Sequence, residues 1–336
     1  MSAPPDSHHL HRVAVIQLIL TTAAWGISFP VFKMLWAVQQ VRVPEANSFF
    51  LAAHAMGTRG LGAAVCFLLV RPRLLFMLTR KEWSQGLLLG FFGGMGLLLQ
   101  ADALQYTSAS VSAFLTQFYC VLLPLWVCWR KREWPAGRLV AATLLVMAGM
   151  TVLSGVFRAD GHGGFTMEGF SIGRGEWETI LAAVFFTVQI LLLERPVWRA
   201  NRMIPVSVLM FFGFFVCALP VVLVSCPFPA ALISVYQQPQ EFALIGIIIL
   251  FCTVYAYTSM NRWQPHVSAT EAGLIYCLEP VSTALYVLFL PGLLSAWCLV
   301  PYANEKLTVI TVVGGGLITA ANILLQLPQR RKSPPA

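Results

Sequence analysis

The sequence predicts an all-α polytopic membrane protein, with ten transmembrane helices arranged as two inverted five-helix repeats. Three observations carry that prediction. Ten long apolar stretches recur along the 336 residues. Only 11% of the residues are charged, where soluble domains carry about 25%. The Lys and Arg residues between the stretches alternate from one side to the other.

A spanning helix needs roughly 20 mostly apolar residues to cross about 30 Å of hydrocarbon. Stretches of that kind occupy residues 13–36, 49–70, 83–104, 107–129 and 139–156 in the first half. They recur at 177–193, 203–224, 242–260, 267–290 and 307–327 in the second. The first holds Trp25 and Ser28 mid-span beside Gly26 and Pro30, and the second holds Arg59 among Gly57, Gly60 and Gly62. The third is rich in glycine (Gly90, Gly93, Gly94, Gly96) and ends near Gln100; the fourth centres on Gln117 and Tyr119. The fifth is almost wholly apolar. In the second half, Gln189 lies on the sixth span, Tyr255 and Tyr257 on the eighth, and Glu279 with Pro280 on the ninth. The tenth carries Gly314, Gly315 and Gly316.

Charge placement sets the expected topology. With the N-terminus inside, sixteen Lys and Arg fall on the inner side, among them Arg71, Arg80, Lys131, Arg199 and Arg331. Five fall outside: Lys33, Arg42, Arg158, Arg174 and Lys306. That asymmetry is what the positive-inside rule describes, and it places both termini in the cytoplasm of a cell with the chain in its inner membrane. The formal charge of +8 is therefore read as topological, not as a nucleic-acid footprint. The eight cysteines show no C-x-x-C pairing and read as small packing residues; no metal or cofactor is expected.

A Gly-rich outward linker, residues 158–173, divides the chain. It separates a first repeat, 13–157, from a second, 174–328, with short tails at 1–12 and 329–336. Five spans per half is an odd number, so like-built halves insert with opposite orientations. Weak internal similarity agrees: YTSASVSAFL from Tyr106 matches HVSATEAGLI from His266, which makes Tyr119 the counterpart of Glu279. Inverted repeats of this kind place a site near the midplane at the repeat interface.

The motifs AAWGISFPVFK from Ala23, TRGLGAA from Thr58, LQYTSASVSA from Leu104 and TVYAYTSMNRWQPHVSATEAGLIYCLEP from Thr253 follow in order. In these the chain resembles the EamA-domain branch of the drug/metabolite transporter superfamily along nearly its whole length. It departs from that pattern at Cys120, which stands opposite Pro280, and in a segment at 291–303 that delays the turn after the ninth span. That segment is expected to be re-entrant or interfacial. The resemblance implies a secondary transporter exporting a small metabolite or drug-like solute. Uptake and uniport stay open beside export.

An ionisable group at the bilayer centre costs roughly 2.5–3.5 kcal/mol on insertion scales and marks a candidate site. Arg59 and Glu279 are the two such charges, in opposite halves and at similar depth, either paired or sharing a cavity. Glu279 is read as a proton carrier or as a structural carboxyl, and Arg59 as an anion ligand or a counter-ion. Trp25, Ser28, Gln117, Tyr119, Tyr255, Tyr257 and Gln189 are the candidate cavity groups, and Pro280, Gly26 and Pro30 the candidate hinges. The expected partners are a small solute, lipid and protons. With no GxxxxGK[ST] string, the energy source expected is an ion or solute gradient. An intramembrane lipid-modifying enzyme is the rival class, and it lacks HExxH and GxSxG motifs.

Overall fold

A computed structural model describes residues 7–73, 78–132, 134, 137–153, 157–159, 165–167, 172–267 and 269–326. In the first half the helices are α1 (Ser7–Arg42), α2 (Ser48–Val70), α3 (Arg80–Ala103), α4 (Ala109–Thr116), α5 (Tyr119–Lys131) and α6 (Gly137–Leu153). The second half has α7 (Arg174–Leu193), α8 (Met203–Ser225), the one-turn α9 (Ala231–Ser234) and α10 (Pro239–Ile247). A π-helical stretch, Ile248–Tyr255, joins α10 to α11 (Ala256–Trp263). Then come α12 (Ala269–Tyr276), α13 (Leu278–Tyr286), α14 (Leu290–Cys298) and α15 (Val309–Gln326).

Among the described residues, seven helical segments are long and apolar enough to cross a membrane. An eighth is added if α12–α13 and α14, bent by 55°, count as one broken span. The segments Gly137–Gly149 and Val309–Ala321 are apolar but shorter. The flanks of these helices expose Leu144, Leu223, Phe251 and Leu285. Such rows suit hydrocarbon, since they would be an aggregation surface in water.

Local chemistry explains several helix ends. Asn47 accepts the Phe50 N–H at 2.8 Å to start α2. Thr79 and Glu82 form a reciprocal capping box at α3, satisfying two orphan donors. Ser108 caps α4. Helix α3 is then tied at both ends to the second half. Glu82 receives the Arg202 guanidinium at 2.7 and 2.9 Å just ahead of α8, and Asp102 receives Arg174 from the start of α7.

Between helices in lipid, burial of apolar surface gives little driving force, so close packing carries the association. Gly90 of α3 and Gly213 of α8 meet backbone to backbone; a methyl on either would come within 2.8 Å of the other's Cα. The largest core joins both halves, with Met56, Leu89 and Tyr119 packed among Phe211, Phe214 and Tyr257. A second core surrounds the Phe29–Val38 part of α1 with Leu244, Ile248, Val287 and Leu294.

The described residues add detail to several expectations. Helix α1 begins at Ser7, so the second half of the tail placed at residues 1–12 is helical. Helix α1 also passes Gly26 and Pro30 without a break. Proline lacks the N–H that would bond the Gly26 carbonyl four residues back. The Thr283 hydroxyl of α13 lies 3.4 Å from that carbonyl, while also within 3.0 Å of the Glu279 carbonyl in its own helix. Within the 158–173 linker, Phe157–Ala159 and Phe165–Met167 pair as antiparallel strands in the register Arg158↔Thr166. The rest of that linker up to residue 171, residues 1–6 and the 329–336 tail lie outside the described residues. The 291–303 segment contains most of α14, which packs Leu294 against α1.

Two helices break at matching places. The α4–α5 break falls at Gln117–Phe118 and the α12–α13 break at Cys277. Helix α12 begins and ends 160 residues after α4. Pro280 sits in the first turn of α13 and frees the Tyr276 carbonyl.

Candidate functional site

The two breaks, the middle of α1 and α2, the C-terminal parts of α3 and α7 and the first half of α11 surround one partly open cavity, whose volume of about 480 Å³ includes open solvent. Both halves contribute: Trp25, Ser28, Arg59 and Tyr119 from the first, Gln189, Tyr257 and Glu279 from the second.

One wall is aromatic. Trp25 lies 5.2 Å from Tyr257 and 5.3 Å from Tyr276, ring centre to ring centre, at tilted and edge-on angles. Tyr257 in turn meets Phe214 edge-on at 5.5 Å. The Tyr276 hydroxyl donates to Gln264 Oε1 at 2.8 Å, and Gln264 donates to the Ile190 carbonyl at 3.2 Å. This chain locks the ring across three helical segments. Aromatic groups so fixed offer a stacking face at little entropic cost.

The opposite wall is polar. Gln100 donates to Thr116 at 2.9 Å, and Thr116 donates to the Ser112 carbonyl at 2.8 Å. Ser28 donates to the Trp25 carbonyl at 2.6 Å. One lining group is left over: the Trp25 indole N–H is buried without a partner, while the Tyr119 hydroxyl has the Gln117 side chain beside it. Buried polar groups are nearly always satisfied, so an orphan in the cavity wall is a place where a ligand's polar atom fits.

Arg59 is 1% exposed. Its Nε donates to the Thr253 hydroxyl and its Nη2 to the Cys252 carbonyl at 2.8 Å. The π-helical winding supplies both acceptors, because Thr253 itself donates to the Ile248 carbonyl five residues back. Phe32 and Tyr257 cover the guanidinium at 5.6 Å each. Glu279 is 7% exposed and faces the same cavity. Among the described residues no ion pair joins the two charges, so of the two arrangements open to them the shared cavity is the one seen.

Two candidate cavity groups do not line it. Tyr255 is 37% exposed and its hydroxyl approaches Gln17 at 3.5 Å. Residues two apart on a helix point about 200° apart, so Tyr257 facing in sends Tyr255 out. Gln117 is fully buried and donates to the Tyr276 carbonyl at 3.2 Å, the acceptor that Pro280 leaves free. Of the hinge candidates, Gly26 gives close packing: a methyl there would lie 2.9 Å from Ser282 Cβ and 3.0 Å from the Thr283 nitrogen. Tyr276, Phe186, Thr116 and Met260 line the cavity and were missed by sequence reasoning. One signal was available for Tyr276: it stands 160 residues after Thr116, as Glu279 does after Tyr119.

Comparison with known proteins points the same way as the site. The EamA-like transporter family model matches residues 12–155, which take in α1 to α6. An uncharacterized transporter of Archaeoglobus fulgidus is 24% identical over 323 residues, covering 94% of this chain and 86% of that protein. A solved crystal structure, described only as that of a protein, superposes with a TM-score of 0.52 at 18% identity. It covers 90% of this chain and 96% of its own. At that identity the likeness concerns the fold alone. The apolar helices and the match to the family model together make this an integral membrane protein whose residues 12–155 resemble the EamA-like transporter family.

Proposed function

We propose that this chain is a secondary transporter of ten spans, built as two inverted five-helix halves, that exports a small solute through the central cavity in exchange for a proton. The observation that carries the reading is the origin of the cavity walls. Both halves supply them, at two broken helices whose breaks are 160 residues apart, and the unpartnered Trp25 indole N–H belongs to a lining residue. Broken helices bordering a midplane site are the arrangement by which inverted-repeat carriers expose a site to each side in turn. The end of the family match at residue 155, just past α6, supports the division into halves.

In this reading Glu279 is the proton carrier. It is a buried acid among aromatic rings, and the lining cation, Arg59, spends two of its donors on the π-helical segment. Export in exchange for one proton draws about 2.3 kcal/mol per 100 mV of membrane potential. The aromatic wall favours an amphipathic or aromatic solute. The inner-membrane location, with both termini cytoplasmic, rests on the Lys and Arg asymmetry.

The test is reconstitution. Candidate amino acids, nucleobases and cationic drugs are first screened for thermal stabilisation of the purified protein. A stabilising solute is then followed in proteoliposomes. Counterflow of unmodified solute, accelerated by an opposing pH gradient, is the expected result. Chemical conversion of the solute, or stabilisation without any counterflow, rejects the reading.

A further inference from the structure

Two cysteines meet where the broken helices cross. Cys120 in the first turn of α5 and Cys277 at the α12–α13 break are each 5% exposed. Their sulfurs stand 3.4 Å apart. Both thiols converge on one acceptor, the Gly273 carbonyl, at 3.2 and 3.1 Å. A side chain at Gly273 would sit tightly on Leu123 at 3.3 Å and in ordinary contact with the Cys120 sulfur at 3.8 Å. The cysteines themselves do not line the cavity, but Tyr119 and Tyr276, next to them in sequence, do. All eight cysteines are free.

We propose that Cys120 and Cys277 are an oxidisable pair that forms a disulfide with a small hydroperoxide reaching the cavity, stapling the fourth span to the ninth. The sulfurs need to close from 3.4 Å to about 2.05 Å, a distance that side-chain rotation spans. The thiolate of one cysteine attacks a peroxide oxygen and the O–O bond breaks. That sulfur becomes a sulfenic acid, and the peroxide is reduced to an alcohol, or to water from hydrogen peroxide. The second thiol attacks the sulfenic sulfur, the S–S bond forms and the hydroxyl leaves as water. Two thiols and one hydroperoxide thus give one disulfide, one alcohol and one water. A thiol reductant reverses it. The consequence for activity rests on the transporter reading: halves that must shift at these two breaks are held together.

The full-length protein in proteoliposomes is treated with hydrogen peroxide, its remaining thiols are blocked, and its peptides are mapped by mass. A Cys120–Cys277 cross-linked peptide is expected, formed at least 10-fold faster than oxidation of the equally buried but solitary Cys252. It should be absent from both Cys120→Ala and Cys277→Ala. Recovery of both thiols reduced while other cysteines oxidise overturns the proposal. So does over-oxidation of either sulfur without a bridge. Counterflow should fall at least 10-fold on bridging and return with dithiothreitol; a bridge with undiminished counterflow overturns the staple. The peptide map needs no substrate, so a failure of the transporter reading leaves the bridge decided on its own.

Discussion

The Gln117 side chain, at the α4–α5 break, donates to the main-chain carbonyl of Tyr276, the last residue of α12, at 3.2 Å. That carbonyl is free because Pro280, four residues on, has no N–H to give it. The broken helix of one half is thus completed by a side chain at the break of the other. The Gly26 carbonyl, freed by Pro30, has the Thr283 hydroxyl of α13 at 3.4 Å, a donor it shares with the Glu279 carbonyl at 3.0 Å.

Gln117→Leu therefore strands a buried carbonyl, at a cost of about 1–3 kcal/mol. Thermal unfolding in detergent should show Tm lowered by several degrees. Restoring the N–H with Pro280→Ala should cut that cost by about half or more, which a double-mutant cycle measures. Equal costs in both backgrounds would detach Gln117 from the proline.

Arg59→Ala removes a cation that holds the π-helical segment through Thr253 and Cys252. Two hydrogen bonds from a charged donor are worth about 3 kcal/mol or more together. Loss of folded, monodisperse protein is expected, and Arg59→Lys should rescue it only in part, because an ammonium has no planar fork.

Tyr119→Phe deletes a buried hydroxyl that lies beside the Gln117 side chain. Stability should fall by no more than about 1.5 kcal/mol, the net worth of one hydrogen bond. Counterflow of the stabilising solute should fall roughly 10-fold if that hydroxyl meets the solute. A fall in Tm with transport intact would assign the hydroxyl to packing instead.

Gly90→Ala pushes a methyl into the Gly213 backbone at 2.8 Å and should destabilise by about 1–3 kcal/mol. Gly246→Ala, with nothing within 4 Å, should be neutral or stabilising by up to about 1 kcal/mol. Comparing the two Tm values separates tight packing from glycine content as such.

The fold was legible where the physics is one-dimensional. Apolar length and Lys and Arg placement mark out the apolar stretches, and charge cost singled out Arg59 and Glu279. What stayed hidden depends on which way a residue points. An aromatic residue in an apolar span reads the same whether it faces lipid or a cavity, so the sequence does not separate Tyr255 from Tyr257 or single out Phe186 and Tyr276. The π-helical stretch at Ile248–Tyr255 has no sequence signature, and it supplies the partners that Arg59 uses. Gln117 was read as a cavity group because nothing in its own neighbourhood announces a proline 163 residues away.

A single labelling measurement bears most directly on the carrier account. Ser28→Cys puts a thiol into the cavity wall, and a membrane-impermeant thiol reagent is applied to sealed vesicles of each orientation, with the unsubstituted chain as background. The account predicts that the new thiol reacts from both faces, each at its own rate. Reaction from one face alone, or from neither, would contradict a cavity that opens to the two sides in turn.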